Sequence, residues 1–182
     1  MVRRRRGERP LPGHGAKPRR LGHALLAVLV AACAGCGGGL PRDPEGTLDR
    51  VRGGELRVGV SADPPWTEVA APGATEPAVT GIEPTLVADF ARSLDAEVVW
   101  TVGGEESLVG DLADGRLDLV VGGLTEASPW AEQVALTRPY VTVPDEVGDA
   151  EPHVMAARMG ENAFLVELET FLLAHDVPEV GS

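Results

Sequence analysis

Apolar residues alternate with polar or small ones along Leu56-Arg57-Val58-Gly59-Val60, and the alternation stops at Asp63-Pro64-Pro65, which predicts a short strand running into a loop. A further loop, dense in Ala, Pro and Gly, extends from Val69 to Thr80. From Pro84 the period becomes helical. Leu86, Val87, Phe90, Ala91 and Leu94 fall on one face, and Pro84 suits the first turn because the N–H it lacks has no partner there. Glu97 to Val102 predicts a second strand, with β-branched Val98, Val99 and Val102 beside Trp100. Ser107 to Asp114 reads as a short helix closed by Gly115, and Leu117 to Val121 as a third strand ending at Gly122-Gly123. This β-α-β-α-β order implies an α/β fold with a parallel sheet and right-handed crossovers, in which ligands settle against loops at the carboxyl ends of the strands.

Charge divides the chain. The 182 residues carry a formal charge of −12 and are 43% hydrophobic, which argues for a folded globular protein and against a nucleic-acid binder. Residues 1 to 36 sum to +7, from seven Arg and Lys17 against Glu8, and the remainder to −19. The basic stretch leads into an apolar run from Leu21 to Ala32, relieved only by Gly22 and His23, as in a secretory signal; residues 1–32 are read as that signal. The run of twelve is too short for a membrane crossing, which takes ~20 apolar residues. Arg19-Arg20 admits a twin-arginine reading, but the general export route fits better.

The two cysteines, Cys33 and Cys36, close this run. Val30-Ala31-Ala32-Cys33 resembles the bacterial lipobox, which implies a diacylglycerol on the Cys33 thiol and Cys33 as the new N-terminus. Ala34-Gly35-Cys36 competes with it, having Cys33 where an aliphatic is usual. A Cys33–Cys36 disulfide is the alternative, but an exported domain with no other cysteine makes no use of a disulfide framework. The expectation is an exported protein, lipid-anchored on the extracytoplasmic face of the cell membrane. Residues 33–46, rich in Gly and Pro, are read as a flexible tether, and residues 47–182 as one folded unit of ordinary domain size.

Further segments carry a family resemblance. Leu56 to Val60 with Pro64-Pro65-Trp66, Gly81-Ile82-Glu83 opening a helix, Leu112 to Thr125 with its Asp114-Gly115-Arg116-Leu117-Asp118 core, and Ala131 to Tyr140 together resemble the first lobe of the bacterial extracellular solute-binding proteins of family 3. These are the polar amino-acid receptors of ABC importers. In the family the chain then builds a second α/β lobe before returning to finish the first with a strand and a long helix. Here only Thr142 to Pro152 intervenes, and these eleven residues, at ~3.3 Å each, reach easily between the two crossing points. His153 to Arg158 resembles the returning strand. Phe164, Leu165, Leu168, Phe171 and Leu172 then share one face of a terminal helix, with Asn162 as N-cap and Pro178 as stop. The resemblance thus implies a single three-layer α/β lobe of the type II periplasmic binding protein fold, the second lobe missing, built from 47–141 plus a returning strand and helix at 153–175.

The resemblance also implies a ligand site. Trp66 matches an aromatic that stacks on the ligand, Asp63 the polar position before it, and Gly123 and Thr125 the residues that meet its carboxylate and amine. Trp130 stands where the family has an Arg that clamps the carboxylate, and Glu126 and Ala127 replace an apolar residue and a Thr. With no Lys or Arg in this loop, a carboxylate would meet Glu126 and an acidic surface, which disfavours a free amino acid. Trp66 and Trp130 therefore either form a two-aromatic mouth for a cationic or quaternary-ammonium solute or cover the exposed end of the sheet. His153 and His175 lack metal-ligand spacing, and no metal or cofactor is expected. Asp111, Asp114 and Asp118 read as solvent-facing residues at helix ends and turns. No nucleophile elbow or phosphate loop occurs, so an enzyme is not expected. The expected partners are a small solute, an ABC permease or another membrane protein, and the membrane itself through the lipid. A protein-docking module using the exposed lobe face is the alternative, and a dehydratase-type enzyme the least favoured.

Overall fold

The computed structural model describes residues 41–70, 79–145, 147–175 and 177. The signal, Cys33, Cys36, the first part of the tether, residues 71–78 of the Ala/Pro/Gly loop and Pro178 lie outside the described residues. In chain order the elements are α1 (Thr47–Val51), β1 (Glu55–Val60), β2 (Glu68–Val69), β3 (Val79–Thr80), α2 (Ile82–Ser93), β4 (Glu97–Val102), α3 (Glu105–Ala113), β5 (Leu119–Val121), β6 (Ala135–Leu136), β7 (Val141–Pro144), β8 (Ala150–His153), β9 (Ala156–Ala157) and α4 (Asn162–Ala174). A 3-10 turn, Pro129–Glu132, precedes β6.

Five strands make the central sheet in the order β4-β1-β5-β9-β6. β1 pairs in parallel with β4, Glu55 opposite Glu97 through Val60 opposite Val102, and with β5, Val58 opposite Leu119 through Val60 opposite Val121. The expected parallel sheet therefore forms over these three strands. β9 departs from it by running antiparallel to β5 and β6. The physical reason is its point of entry: the chain arrives at the carboxyl ends of the parallel strands with no helix to carry it back, so it can only run down the sheet.

Alternation in the strands divides the core into two layers. Leu56, Val58 and Val60 of β1, with Leu119 and Val121 of β5, pack against Leu86, Val87 and Phe90 of α2 and Phe164, Leu168 and Leu172 of α4. On the other face Val120 and Ala156 meet Leu108, Val109 and Leu112 of α3. Gly59 lets α3 approach closely, since a Cβ there would stand 2.7 Å from Leu117 Cδ1 and 3.0 Å from Leu108 Cδ2. The terminal helix completes the same core as the opening strand: Phe90 of α2 lies edge-on to Phe164 at 5.9 Å between centroids and tilted against Phe171 at 5.3 Å.

Four expectations are corrected. Asn162 is the first residue of α4, not its cap; the side-chain cap is Asp43, whose Oδ1 accepts from the N–H groups of Ala163 (2.6 Å) and Phe164 (3.0 Å) while Oδ2 accepts from Leu48 at 2.8 Å in α1. Asp43 and Glu45, within the stretch read as tether, are thus bonded into the lobe, Glu45 N–H donating to Glu161 Oε1 at 3.0 Å. Asp118 does not face solvent. It is 2% exposed and held by Arg57 through its backbone N–H (3.0 Å) and guanidinium (2.6 and 3.1 Å) and by Arg50 (3.2 Å). Burial works to raise the Asp118 carboxyl, but the bonds from Arg57 and Arg50 prevail and hold it below the usual range. Finally, Thr142 to Pro152 is not a plain connector but most of a β-hairpin. Val141 pairs with His153, Thr142 with Pro152, Val143 with Glu151 and Pro144 with Ala150, so His153 belongs to β8 and the returning strand shrinks to Ala156–Ala157. Asp145 Oδ1 closes the turn by accepting from Val147 (2.9 Å) and Asp149 (2.8 Å).

Candidate functional site

The carboxyl ends of β1 and β5 open into two loops, Ser61–Thr67 and Gly122–Thr125. The first is locked by its own backbone: Asp63 N–H donates to Thr67 O at 2.9 Å, Thr67 N–H to Asp63 O at 3.0 Å, and the Thr67 hydroxyl donates to Ser61 O. This closure sets the Asp63 carboxylate against Gly123, where a Cβ would stand 1.8 Å from Asp63 Oδ2, and the φ of +65° at Gly123 is one that other residues rarely adopt. Gly123 is thus the residue that lets the two loops meet.

Beneath them lies Glu83, fully buried in the first turn of α2. Its Oε2 accepts from the N–H groups of Gly122 (2.8 Å) and Gly123 (3.0 Å), and its Oε1 accepts from the Tyr140 hydroxyl at 2.8 Å. Burial outweighs these three donors and pushes the carboxyl up to about 7. The same burial, reinforced by Glu83, raises the Tyr140 hydroxyl. Glu83 therefore clamps the β5 loop to α2.

The hairpin then covers the loops. Thr125 bridges to His153, Glu126 N–H donates to Pro152 O at 3.0 Å, and Val154 N–H to Leu124 O at 2.8 Å. This seats the His153 ring on Trp66, 3.8 Å between centroids and 29° from parallel, while Tyr140 meets the Trp66 ring edge-on at 6.3 Å. Trp66 is consequently 6% exposed and His153 2%. Neither imidazole nitrogen has a hydrogen-bond partner, and Nε2 lies 3.5 Å from Glu151 Oε2. Burial lowers the His153 ring from its ordinary value, against the pull of Glu151, Asp63 and the Gly123 backbone, and so favours the neutral ring. Partial burial raises Asp63, opposed by His153 and aided by Glu105 and Glu151.

Of the residues singled out from sequence, Asp63, Trp66, Gly123 and Thr125 come together here. Trp130 does not join them. Its Nε1 donates to Glu105 Oε2 at 2.8 Å and its ring packs against the α3 layer, whereas Trp66 belongs to the layer on the opposite face of the sheet. The 3-10 turn thus seats Trp130 against the α3 layer, and the two tryptophans pack on opposite faces of the sheet. Sequence reasoning missed Glu83 and Tyr140 as the support and His153 as the cover. Each acts through partners distant in the chain.

A cleft of about 530 Å³ opens beside Trp66, bounded by Pro65, the hairpin residues Val143, Pro144, Asp145 and Val147, and Glu151. Its charge is acidic. Seven arginines, Arg50, Arg52, Arg57, Arg92, Arg116, Arg138 and Arg158, each meet a carboxylate, and none of those carboxylates is Asp63, Glu126, Asp145 or Glu151. Among the described residues no group of three His, Cys, Asp or Glu is placed to hold a metal ion.

The sequence profile of the bacterial extracellular solute-binding proteins, family 3, matches residues 56–169. The chain belongs to this family. Its solute-binding, transport-associated role and its extracytoplasmic setting follow from that membership. The fold is shared with the arginine-bound form of domain 1 from TmArgBP of T. maritima, at TM-score 0.59 and 23% identity over 70% of this chain and 98% of that one. It is shared as well with EhuB in complex with hydroxyectoine, at 0.59 and 15% over 72% and 87%, respectively. A third similar structure is the ancestral amino-acid-binding protein AncCDT-1, described as a precursor of cyclohexadienyl dehydratase, at 0.57 and 18% over 70% and 92%. The family and the structures similar to this chain are mostly binding proteins. No curated protein sequence matches the chain. No helix among the described residues is long and apolar enough to cross a membrane.

Proposed function

We propose that this family-3 protein is a lipid-anchored, single-lobe solute-binding module that serves an ABC-type importer and takes a small cationic solute in the cleft beside Trp66. The observation that carries the reading is the charge of that cleft: Asp145 and Glu151 line it, Asp63 and Glu126 lie on the adjoining loops, and seven of the eight arginines among the described residues, all but Arg42, are engaged elsewhere. A carboxylate has no cationic partner there, whereas an ammonium or guanidinium meets several anions. That the similar T. maritima structure is one domain with arginine bound supports a lobe working alone. A single lobe excludes less water than two closing on a ligand, so affinity is weak, about 1 mM or roughly 4 kcal/mol.

Calorimetric titration with arginine, spermidine, choline and glutamate tests this. Saturable binding of at least one cation and none of glutamate is expected, with at least a tenfold loss in the Asp63→Asn, Glu151→Gln double variant. Absence of saturable binding for every cation would end the solute-binding reading. The anchor is tested separately by metabolic labelling with a radioactive fatty acid: label is expected in the wild type, lost in Cys33→Ala and retained in Cys36→Ala. Label unchanged in both variants would remove the lipid from the account.

A further inference from the structure

One contact at the site resembles bound ligand more than ordinary core. His153 is almost wholly inaccessible, yet neither ring nitrogen makes a well-formed hydrogen bond, Nε2 standing 3.5 Å from Glu151 Oε2. Buried polar atoms in a settled core are nearly always bonded, because leaving one unpaired forfeits its hydration without return. What His153 gains instead is the face of Trp66, at 3.8 Å and 29°. It is delivered by the β7–β8 hairpin, on which Glu151, two residues before His153 in the same strand and on the same face, lines the open cleft. The ring is thus a flat, neutral heterocycle stacked on a tryptophan and set beside carboxylates that it does not neutralise.

We propose that the β7–β8 hairpin is a self-occupying lid, in which His153 holds the face of Trp66 until a planar cation, a guanidinium or imidazolium head, enters from the cleft and displaces it. This rests on the solute-binding reading above and adds the mode of entry and the shape of the ligand. Such a head keeps the stacking and adds to what the neutral imidazole offers, a charge facing Glu151 and Asp63 and several in-plane N–H donors in place of one to meet their oxygens. Trp66 and Glu151 both line the cleft, so the incoming head reaches the stack without crossing packed core. The backbone bonds that hold the hairpin down, Thr125 with His153, Glu126 with Pro152 and Val154 with Leu124, all sit at its base. Weak affinity then has a second origin, because every binding event must first unseat the chain's own ring.

The experiment compares the wild type, His153→Ala and His153→Phe, titrated with methylguanidinium and with the globular cation tetramethylammonium at pH 7.5. Methylguanidinium is expected to bind His153→Ala at least tenfold more tightly than wild type, and more tightly than tetramethylammonium does. His153→Phe, which keeps the stack and removes the unpaired nitrogens, is expected to bind less than wild type and to melt at a higher temperature. Equal affinity in all three proteins, or equal affinity for both cations, would overturn the lid while leaving solute binding in place. Binding of arginine by the wild type with none of methylguanidinium by His153→Ala would do the same. No binding of any cation by any of the three would overturn both. If His153→Ala fails to fold, His153→Phe decides: affinity equal to or above wild type rejects the lid.

Discussion

Replacing Glu83 by alanine is expected to lower the unfolding free energy by about 3–5 kcal/mol, measured by urea denaturation at pH 6. The substitution strands three donors, the N–H groups of Gly122 and Gly123 and the Tyr140 hydroxyl, in a place water does not reach, and each unpaired group costs about 1–3 kcal/mol. Glu83→Gln should behave differently. Its carbonyl can serve the two glycine N–H groups and its NH2 can donate to the Tyr140 oxygen, so the clamp survives without a charge. Because the folded protein raises the Glu83 carboxyl from 4.5 to about 7, the native state holds this proton more tightly than the unfolded chain does. The associated stability is present below pH 4.5 and is lost as pH rises through about 7. A displacement of that size corresponds to roughly 3 kcal/mol, which Glu83→Gln should recover at pH 8. Parallel stability curves for wild type and Glu83→Gln between pH 4.5 and 8 would show that the buried carboxyl does not titrate in this way.

Phe164→Ala is expected to cost about 3–5 kcal/mol, because the ring is fully buried in α4 against Phe90 of α2 and its removal leaves a cavity in the larger core layer. Val166→Ala, on the same helix but 45% exposed, should change stability by less than about 0.5 kcal/mol. The pair of measurements asks whether the last helix belongs to the first strand's core. Similar small losses in both variants would detach α4 from the sheet and with it the single-lobe architecture.

Much of the lobe is legible in the chain because it depends on local periodicity. Leu56 to Val60, the helix face Leu86-Val87-Phe90 and the strand Leu119 to Val121 all sit where alternation and the helical repeat place them. Phe164, Leu168 and Leu172 likewise declare α4. The hairpin escaped because Pro144 ends the β-branched run of β7 and Pro152 sits inside β8, and proline counts against a strand unless, as here, the strand stands outside the main sheet. Asp118 escaped because its two arginines come from α1 and β1, more than sixty positions earlier in the chain. The same holds for the site. The positions of Asp63, Trp66 and Gly123 were visible, but that Trp66 is roofed by His153 depends on a pairing of β7 with β8 that no short-range pattern encodes.

The turn of that hairpin has one more property. Asp145 and Asp149 face each other across it, the Asp145 N–H bonded to Asp149 O at 2.8 Å, while the five-stranded sheet draws its bonds from other residues. A foreign polypeptide whose own ends lie close together can be spliced between them without disturbing a single ladder of that sheet. Acquisition or loss of an entire domain at this point is then one genetic event, with the scaffold left as it stood.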